Sequence, residues 1–330
     1  MTETRLDVLA IGDAIVDVIA SASDAFLAEE GLVKGSMQVL DAEGATRLYA
    51  KMRQARETSG GSAANTMAGV AAMGGRAGFV GQVADDQLGE IFAHDMRALG
   101  VEFATPPMRG GPPTGRCLIL VTPDAQRTMN TFRGAAHELT AGALDAAQIR
   151  DAAILYLEAY LWRSNGPRAA MDQAMAIAHQ AGRKVAFTLS DIACIAPHRA
   201  EMMAMLDAGQ IDLLFANENE ICELAGLADR GAAVAAVRDK VPLLVVTCGA
   251  EGALAVEAGH EVAVPIARLG KGVVDTTGAG DLFAAGFLVG QARGHDLERS
   301  LRMGSVAAAE IISHFGARPE ADLKALVAQA

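Results

Sequence analysis

The stretch richest in reactive groups is Asp275-Thr276-Thr277-Gly278-Ala279-Gly280-Asp281, with two carboxylates, two hydroxyls and two glycines in seven residues. Val273-Val274 precedes it and reads as the end of a strand. Leu282-Phe283-Ala284-Ala285-Gly286-Phe287-Leu288-Val289 follows it and reads as a buried helix. A strand, a glycine loop and a helix start make an anion site, because the first N–H groups of a helix have no internal partner and its dipole makes that end positive. Gly278 and Gly280 let the backbone approach a bulky anion with no Cβ in the way, and Ala279 keeps the same space small. Asp281 admits two readings. It caps the helix, or it is a base that takes the proton from a hydroxyl while neighbouring N–H groups hold the anionic group under attack.

Other polar clusters also fall where strands are expected to end. They are Asn217-Glu218-Asn219-Glu220 and the run from Thr247 through Gly249 to Gly252. In open α/β sheets ligands gather at those strand ends. Asp13 and Asp17 follow the apolar run Val8-Leu9-Ala10-Ile11-Gly12. A carboxylate there can accept two hydrogen bonds from a polyol, or both acids are surface residues of a turn. Gly60-Gly61-Ser62-Ala63-Ala64-Asn65 opens a helix of very small residues. Ser62 reads as its cap, and the Asn65 amide, in the first turn, can both donate and accept.

These residues must be positioned by a framework, and the periodicity supplies one. Strands are expected at 8–12, 77–83, 153–157, 184–189, 211–216 and 243–247, alternating with helices such as 166–181. That alternation implies a mostly parallel sheet with helices on both faces. Residues 101–133 break the rhythm. Pro106, Pro107, Pro112 and Pro113 exclude a helix, and 115–121 and 128–132 read as a hairpin around Pro123-Asp124-Ala125. Together with 15–40 this segment forms a small β lid over a pocket, leaving 1–14, 41–100 and 134–330 as the α/β core.

With 330 residues, 51% hydrophobic and 21% charged, the chain can bury a large core. A net charge of −12 argues against nucleic acid and anionic membranes as partners, so an anionic substrate needs a local positive site from helix N-termini or a metal. Cys117, Cys194, Cys222 and Cys248 lie far apart with no C-x-x-C, which excludes a zinc or disulfide framework. With no N-terminal leader pattern and no run approaching the ~20 apolar residues of a membrane span, a cytoplasmic protein with reduced thiols is expected. No P-loop, protein-kinase or dinucleotide fingerprint is present.

The spacing of 275–281 resembles the second signature of the ribokinase-like, or PfkB, family of sugar and nucleoside kinases, and 60–71 resembles the first. The resemblance runs from the first strand to His314-Phe315-Gly316. It implies an ATP-dependent kinase of an alcohol group, with Asp281 as general base and Gly278-Ala279-Gly280 as the hole for the transferred phosphoryl group. It implies acceptor contacts at Asp13, Asp17, Gly61, Ser62 and Asn65, and nucleotide contacts at Asn217, Thr247, Gly249 and Gly252. Glu220 would arrange Mg²⁺ through water. Asp275, the Thr277 carbonyl and Gly316 would hold a monovalent cation such as K⁺. A basic residue near Arg133 would face phosphate. Several stretches, among them Pro113-Thr114-Gly115 and 211–218, resemble the adenosine kinases of the family, with Tyr160 at their purine-side aromatic. Ile15, Val39, Phe132 and Trp162 offer further apolar walls. The implied acceptor is the 5′-hydroxyl of adenosine. Asp13, Thr277 and Met37 depart from the eukaryotic pattern of Asn, Asn and Gln, so a sugar acceptor (ribose, fructose or a keto-deoxy sugar) stays open, as does a non-catalytic binding protein. The expected partner is a small nucleoside or sugar, and the expected assembly a monomer or homodimer.

Overall fold

β1 (Leu6–Ile11) shows how the main sheet is built. Val8 and Ala10 enter the core on one face, while Leu9 and Ile11 enter a second core on the other. A strand apolar on both faces needs helices on both sides, as the sequence pattern requires. The structure is a computed structural model that describes residues 4–124, 126–268, 270 and 272–330. The remaining strands are β2 (Ile15–Ser21), β3 (Met37–Val39), β4 (Arg56–Gly60), β5 (Ala77–Val80), β6 (Glu102–Phe103), β7 (Gly115–Val121), β8 (Arg127–Phe132), β9 (Ala152–Glu158), β10 (Lys184–Thr188), β11 (Leu213–Asn217), β12 (Leu243–Thr247), β13 (Ala253–Glu257) and β14 (His260–Val264).

The main sheet has the order β14-β13-β12-β11-β10-β9-β1-β5-β6. It is parallel from β12 to β6, with β13 and β14 added antiparallel at one edge. A second sheet has the order β3-β8-β7-β2-β4. This is the α/β architecture expected, with a mostly parallel sheet and a smaller β-sheet beside it. The first crossing from the main sheet to the second takes three residues, Gly12, Asp13 and Ala14, and the chain crosses again after β4, between β6 and β7, and after β8.

Three features differ from the expectations. β4 lies within 41–100, assigned to the core, yet pairs antiparallel with β2 in the second sheet. The sequence Arg56-Glu57-Thr58-Ser59 is polar because one side of that sheet is open, so it carries no apolar run. β6 lies within 101–133, assigned to the lid, yet pairs with β5 at the edge of the main sheet. Among the described residues no strand leads directly into Asp275. Val273 and Val274 are 68% and 48% exposed, and the N–H of Val274 donates to the Ile312 carbonyl at 2.8 Å. The hairpin of β7 and β8 forms as expected, with Ala125 of its turn outside the described residues. Among the described residues no helix is long and apolar enough to cross a membrane.

Candidate active site

The helix Ala279–Ala292 begins at Gly278, whose φ of +78° is left-handed. A Cβ at Gly278 would also lie 2.9 Å from the Ala317 Cβ, so glycine is required twice over. Residues 282–290 of the helix are buried, which fixes its start in place. The Ala279 N–H is turned to the Thr276 carbonyl at 3.2 Å. Of the expected Gly278-Ala279-Gly280 hole, the Ala279 N–H is therefore already engaged, and a Cβ at Gly280 would meet open space.

Asp281 sits in this first turn but does not cap the helix. Its Oδ1 accepts a hydrogen bond from the Ser62 hydroxyl at 2.6 Å, and its Oδ2 accepts one from Asn65 Nδ2 at 3.0 Å. Burial raises the pKa of Asp281, opposed by these two donors and by the Arg318 charge. A carboxylate buried, oriented and shifted upward is suited to accept a proton.

Ser62 and Asn65 come from the helix Ser62–Ala72. Its N-cap is Gly61 rather than Ser62, which leaves the Ser62 hydroxyl for Asp281. Gly61 has φ +95°, and a Cβ there would lie 2.3 Å from the Asp13 carbonyl oxygen. The crossing between the sheets and this helix start are stapled by Glu158. Its Oε1 accepts the Asp13 N–H at 2.6 Å and its Oε2 accepts the Ala63 N–H at 2.7 Å. Burial and the Asp13 charge push the Glu158 pKa up, and the two N–H donors oppose them. Asp13 is buried rather than on a surface turn, with Oδ1 3.4 Å from His137 Nε2.

Two cavities flank this pair of helix starts. One, of about 450 Å³, lies under the second sheet and is lined by Asp17, Asn65, Ile119, Arg127, Thr277 and Arg318, among others. The other, of about 360 Å³, lies at the carboxyl ends of β10 to β12 and is lined by Ser62, Asn217, Glu220, Thr247, Gly249 and Asp281, among others. Asp281 thus lines one cavity while its partner Asn65 lines the other. Asp17 is pushed up to about 6 by burial, against the charges of Arg318 and Arg127.

Arg318 and Glu158 were not singled out from sequence. Arg318 donates to Asn65 Oδ1 and, through Nη2, to the Ser59 carbonyl at 2.6 Å. That contact orients the amide so that Nδ2 faces Asp281. An isolated arginine after Gly316-Ala317 gives no sequence signal, whereas an acid closing the apolar run Tyr156-Leu157-Glu158 was a usable one. Arg133, the base expected near phosphate, lies instead near Arg163 and Asp13.

Asn217 caps the helix Glu218–Ala225 in a capping box. Its Oδ1 accepts the Glu220 N–H, and Glu220 Oε2 accepts the Asn217 N–H, both at 2.9 Å. Burial pushes Glu220 up to about 7. Glu220 Oε1 also accepts Asn217 Nδ2 at 2.7 Å, so each oxygen holds one donor and keeps room for another, which fits a cation held mainly by water and phosphate. Among the described residues no cluster of three or more His, Cys, Asp or Glu side chains that could hold a metal ion exists. Gly252 does not line the cavity. Its glycine is required because a Cβ would lie 2.0 Å from the Val264 carbonyl oxygen.

Of the residues named for a monovalent cation, Asp275 has its carboxylate engaged by donors of the chain. Asp275 Oδ1 accepts the Thr277 N–H at 3.1 Å and the Thr277 hydroxyl at 2.7 Å. Its Oδ2 accepts the Gly316 N–H at 3.0 Å and Arg127 Nη1 at 2.5 Å. The purine-side aromatics are also placed differently. Tyr160 donates to the Ser190 carbonyl at 3.3 Å and lines neither cavity. Trp162 and Phe132 are buried, against Phe187 and Arg116 respectively.

A model of the pfkB family of carbohydrate kinases matches residues 7–323. The chain belongs to the PfkB family. It is similar to the solved adenosine kinase from Sinorhizobium meliloti, 44% identical with TM-score 0.91, over 98% of this chain and 99% of that one. It is also similar to a probable sugar kinase from Rhizobium etli CFN 42, 42% identical with TM-score 0.91, over 99% and 98% of the two chains. A more distant relative, 5-dehydro-2-deoxygluconokinase of Shouchella clausii (strain KSM-K16), is 27% identical over 98% of this chain and 96% of its own length.

Proposed function

We propose that this PfkB kinase transfers the γ-phosphoryl group of ATP to the 5′-hydroxyl of adenosine, giving AMP and ADP. The observation that carries the phosphotransferase reading is Asp281, buried between the two cavities and held by Ser62 and Asn65 beside a helix N-terminus. The acceptor lies under the second sheet, where Asp17 and Asn65 take its ribose hydroxyls. Asp281 removes the proton of the attacking hydroxyl. The oxygen of that 5′-hydroxyl bonds to the γ-phosphorus as the bond from the γ-phosphorus to the β-phosphate oxygen breaks, and ADP leaves toward Asn217, Thr247 and Gly249. The N–H groups at the start of Ala279–Ala292 receive the charge of the phosphoryl group in flight. Glu220 would hold Mg²⁺ through water, and the bound ion neutralises phosphate charge.

Adenosine is favoured by the 44% identity to the Sinorhizobium meliloti enzyme across both chains. One observation favours a sugar acid instead. Arg127 and Arg318 both line the cavity under the second sheet, and the Nε of each is buried with no partner among the described residues. Such donors suit a carboxylate, and the 5-dehydro-2-deoxygluconokinase relative is named for an acid sugar. The test is ADP release from ATP with a panel of adenosine, other nucleosides, ribose, fructose and keto-deoxy sugar acids. The highest kcat/KM is expected for adenosine. A free sugar or sugar acid turned over with much higher kcat/KM would replace it.

A further inference from the structure

We propose that the Arg127 guanidinium stands in place of the monovalent cation beside the anion hole, so that phosphoryl transfer by this chain needs no potassium. The inference rests on the kinase reading above and concerns how its anion hole is held. A carboxylate has about four acceptor positions, and all four at Asp275 are taken by donors of the chain. A cation could join this group only by expelling the guanidinium or by sitting against a like charge. The ion pair is shielded, with side chains 13% and 8% exposed, so neither water nor salt screens it effectively. Arg127 Nη1 also donates to the Thr277 hydroxyl at 2.7 Å. One guanidinium therefore spans Asp275 and Thr277, the two residues that lead into the left-handed Gly278 and the helix start. Burial works to raise the Asp275 pKa, but the Gly316 and Thr277 donors and the Arg127 charge outweigh it and hold the carboxyl below its usual range.

The origin of the charge matters as much as its place. Arg127 lies on β8, in the second sheet, whereas Asp275 belongs to the loop of the core. A soluble ion would settle this loop whether or not the second sheet lies over it. A tethered guanidinium does so only when β8 is close. Arg127 is thus a positioning residue, acting through Asp275 and Thr277.

The test compares turnover and melting temperature in K⁺, Na⁺ and tetramethylammonium salts at constant ionic strength. It uses the wild type, Arg127→Lys, Arg127→Met and Arg127→Ala. The wild type should show the same kcat/KM and the same Tm in all three salts. Arg127→Lys should keep that indifference because it keeps a tethered charge. Arg127→Ala and Arg127→Met should lose kcat by at least about tenfold, as for loss of anion-hole support, and recover part of it with added guanidinium or K⁺. Their Tm should rise in K⁺ relative to tetramethylammonium, because the vacated carboxylate then binds the ion. Wild-type activity or Tm that climbs and saturates with K⁺ overturns the proposal. So does an Arg127→Ala protein, folded by its Tm, that responds to neither cation. Absence of turnover in every salt with every acceptor would count against the kinase reading instead, and the Tm comparison would still decide the role of Arg127.

Discussion

At the scale of single residues, the site is organised by what holds each carboxylate. Asp281 faces donors from another helix, so replacing it should spare the fold. Asp281→Asn is expected to melt near the wild type and to bind nucleotide unchanged in calorimetry, with kcat lower by ~10² to 10⁴, the usual loss for a general base. A near wild-type kcat would refute the assignment, and a collapse in Tm would favour a structural role. Asp17 makes a pH prediction. Burial pushes its carboxyl up to about 6, above the usual carboxylate range, so the folded protein favours its protonated form and the charge is what the fold tolerates at a cost. Gripping hydroxyls needs the charged form, present above pH 6. The acceptor KM should therefore rise as pH falls through about 6, and Asp17→Asn should abolish that rise while leaving the pH dependence of the KM for ATP, which follows Glu220, as it is in the wild type. Arg318 acts one step back. Removing it frees the Asn65 amide to rotate, so Arg318→Met should raise the acceptor KM more than that for ATP. Equal effects on both would mean general damage.

At the scale of elements, the helix starts at Gly61 and Gly278 are the parts that the chain had to get right. Both were legible in sequence because a glycine pair before a run of small or apolar residues has few other uses. The alternation of β1, β5 and β9 to β12 with helices was legible for the same kind of reason, since strands buried on both faces are apolar throughout. What was not legible is polar and non-local. β4 is a half-open strand without an apolar run. Arg127 meets Asp275 from 148 positions away, and Arg318 meets Asn65 from 253. Such pairings leave no periodic trace. The Gly61 turn yields a direct test. At φ +95° a side chain costs ~1–3 kcal/mol, and its Cβ would also collide with the Asp13 carbonyl oxygen at 2.3 Å. Gly61→Ala should lower Tm by several degrees and weaken acceptor binding, because the helix start carrying Ser62 and Asn65 must shift. An unchanged Tm in calorimetry would show that the crossing can relax.

At the scale of the whole molecule, the second sheet is fastened to the core at one end and only paired with it at the other. The fastened end is covalent through Gly12 to Ala14 and through Gly61. It is reinforced where the Thr114 hydroxyl and N–H donate to Asp86, at 2.6 and 2.9 Å. At the other end, toward β3 and β8, Val39 and Met37 are largely exposed, and Arg127 reaches the core through Asp275 and Thr277. A sheet hinged in this way can lift and close, and closure would keep water from competing for the phosphoryl group. Two outcomes follow. ATP hydrolysis without acceptor should be slow relative to transfer. In hydrogen exchange, acceptor should slow the amides of β3, β7 and β8 far more than those of β9 to β12, whose protection comes from the buried parallel sheet. Arg127→Ala should lose much of that added protection while keeping the protection of the core strands. Equal exchange in the second sheet with and without acceptor would mean that the sheet is a fixed wall, and water exclusion would then have to come from the shape of the cavity alone.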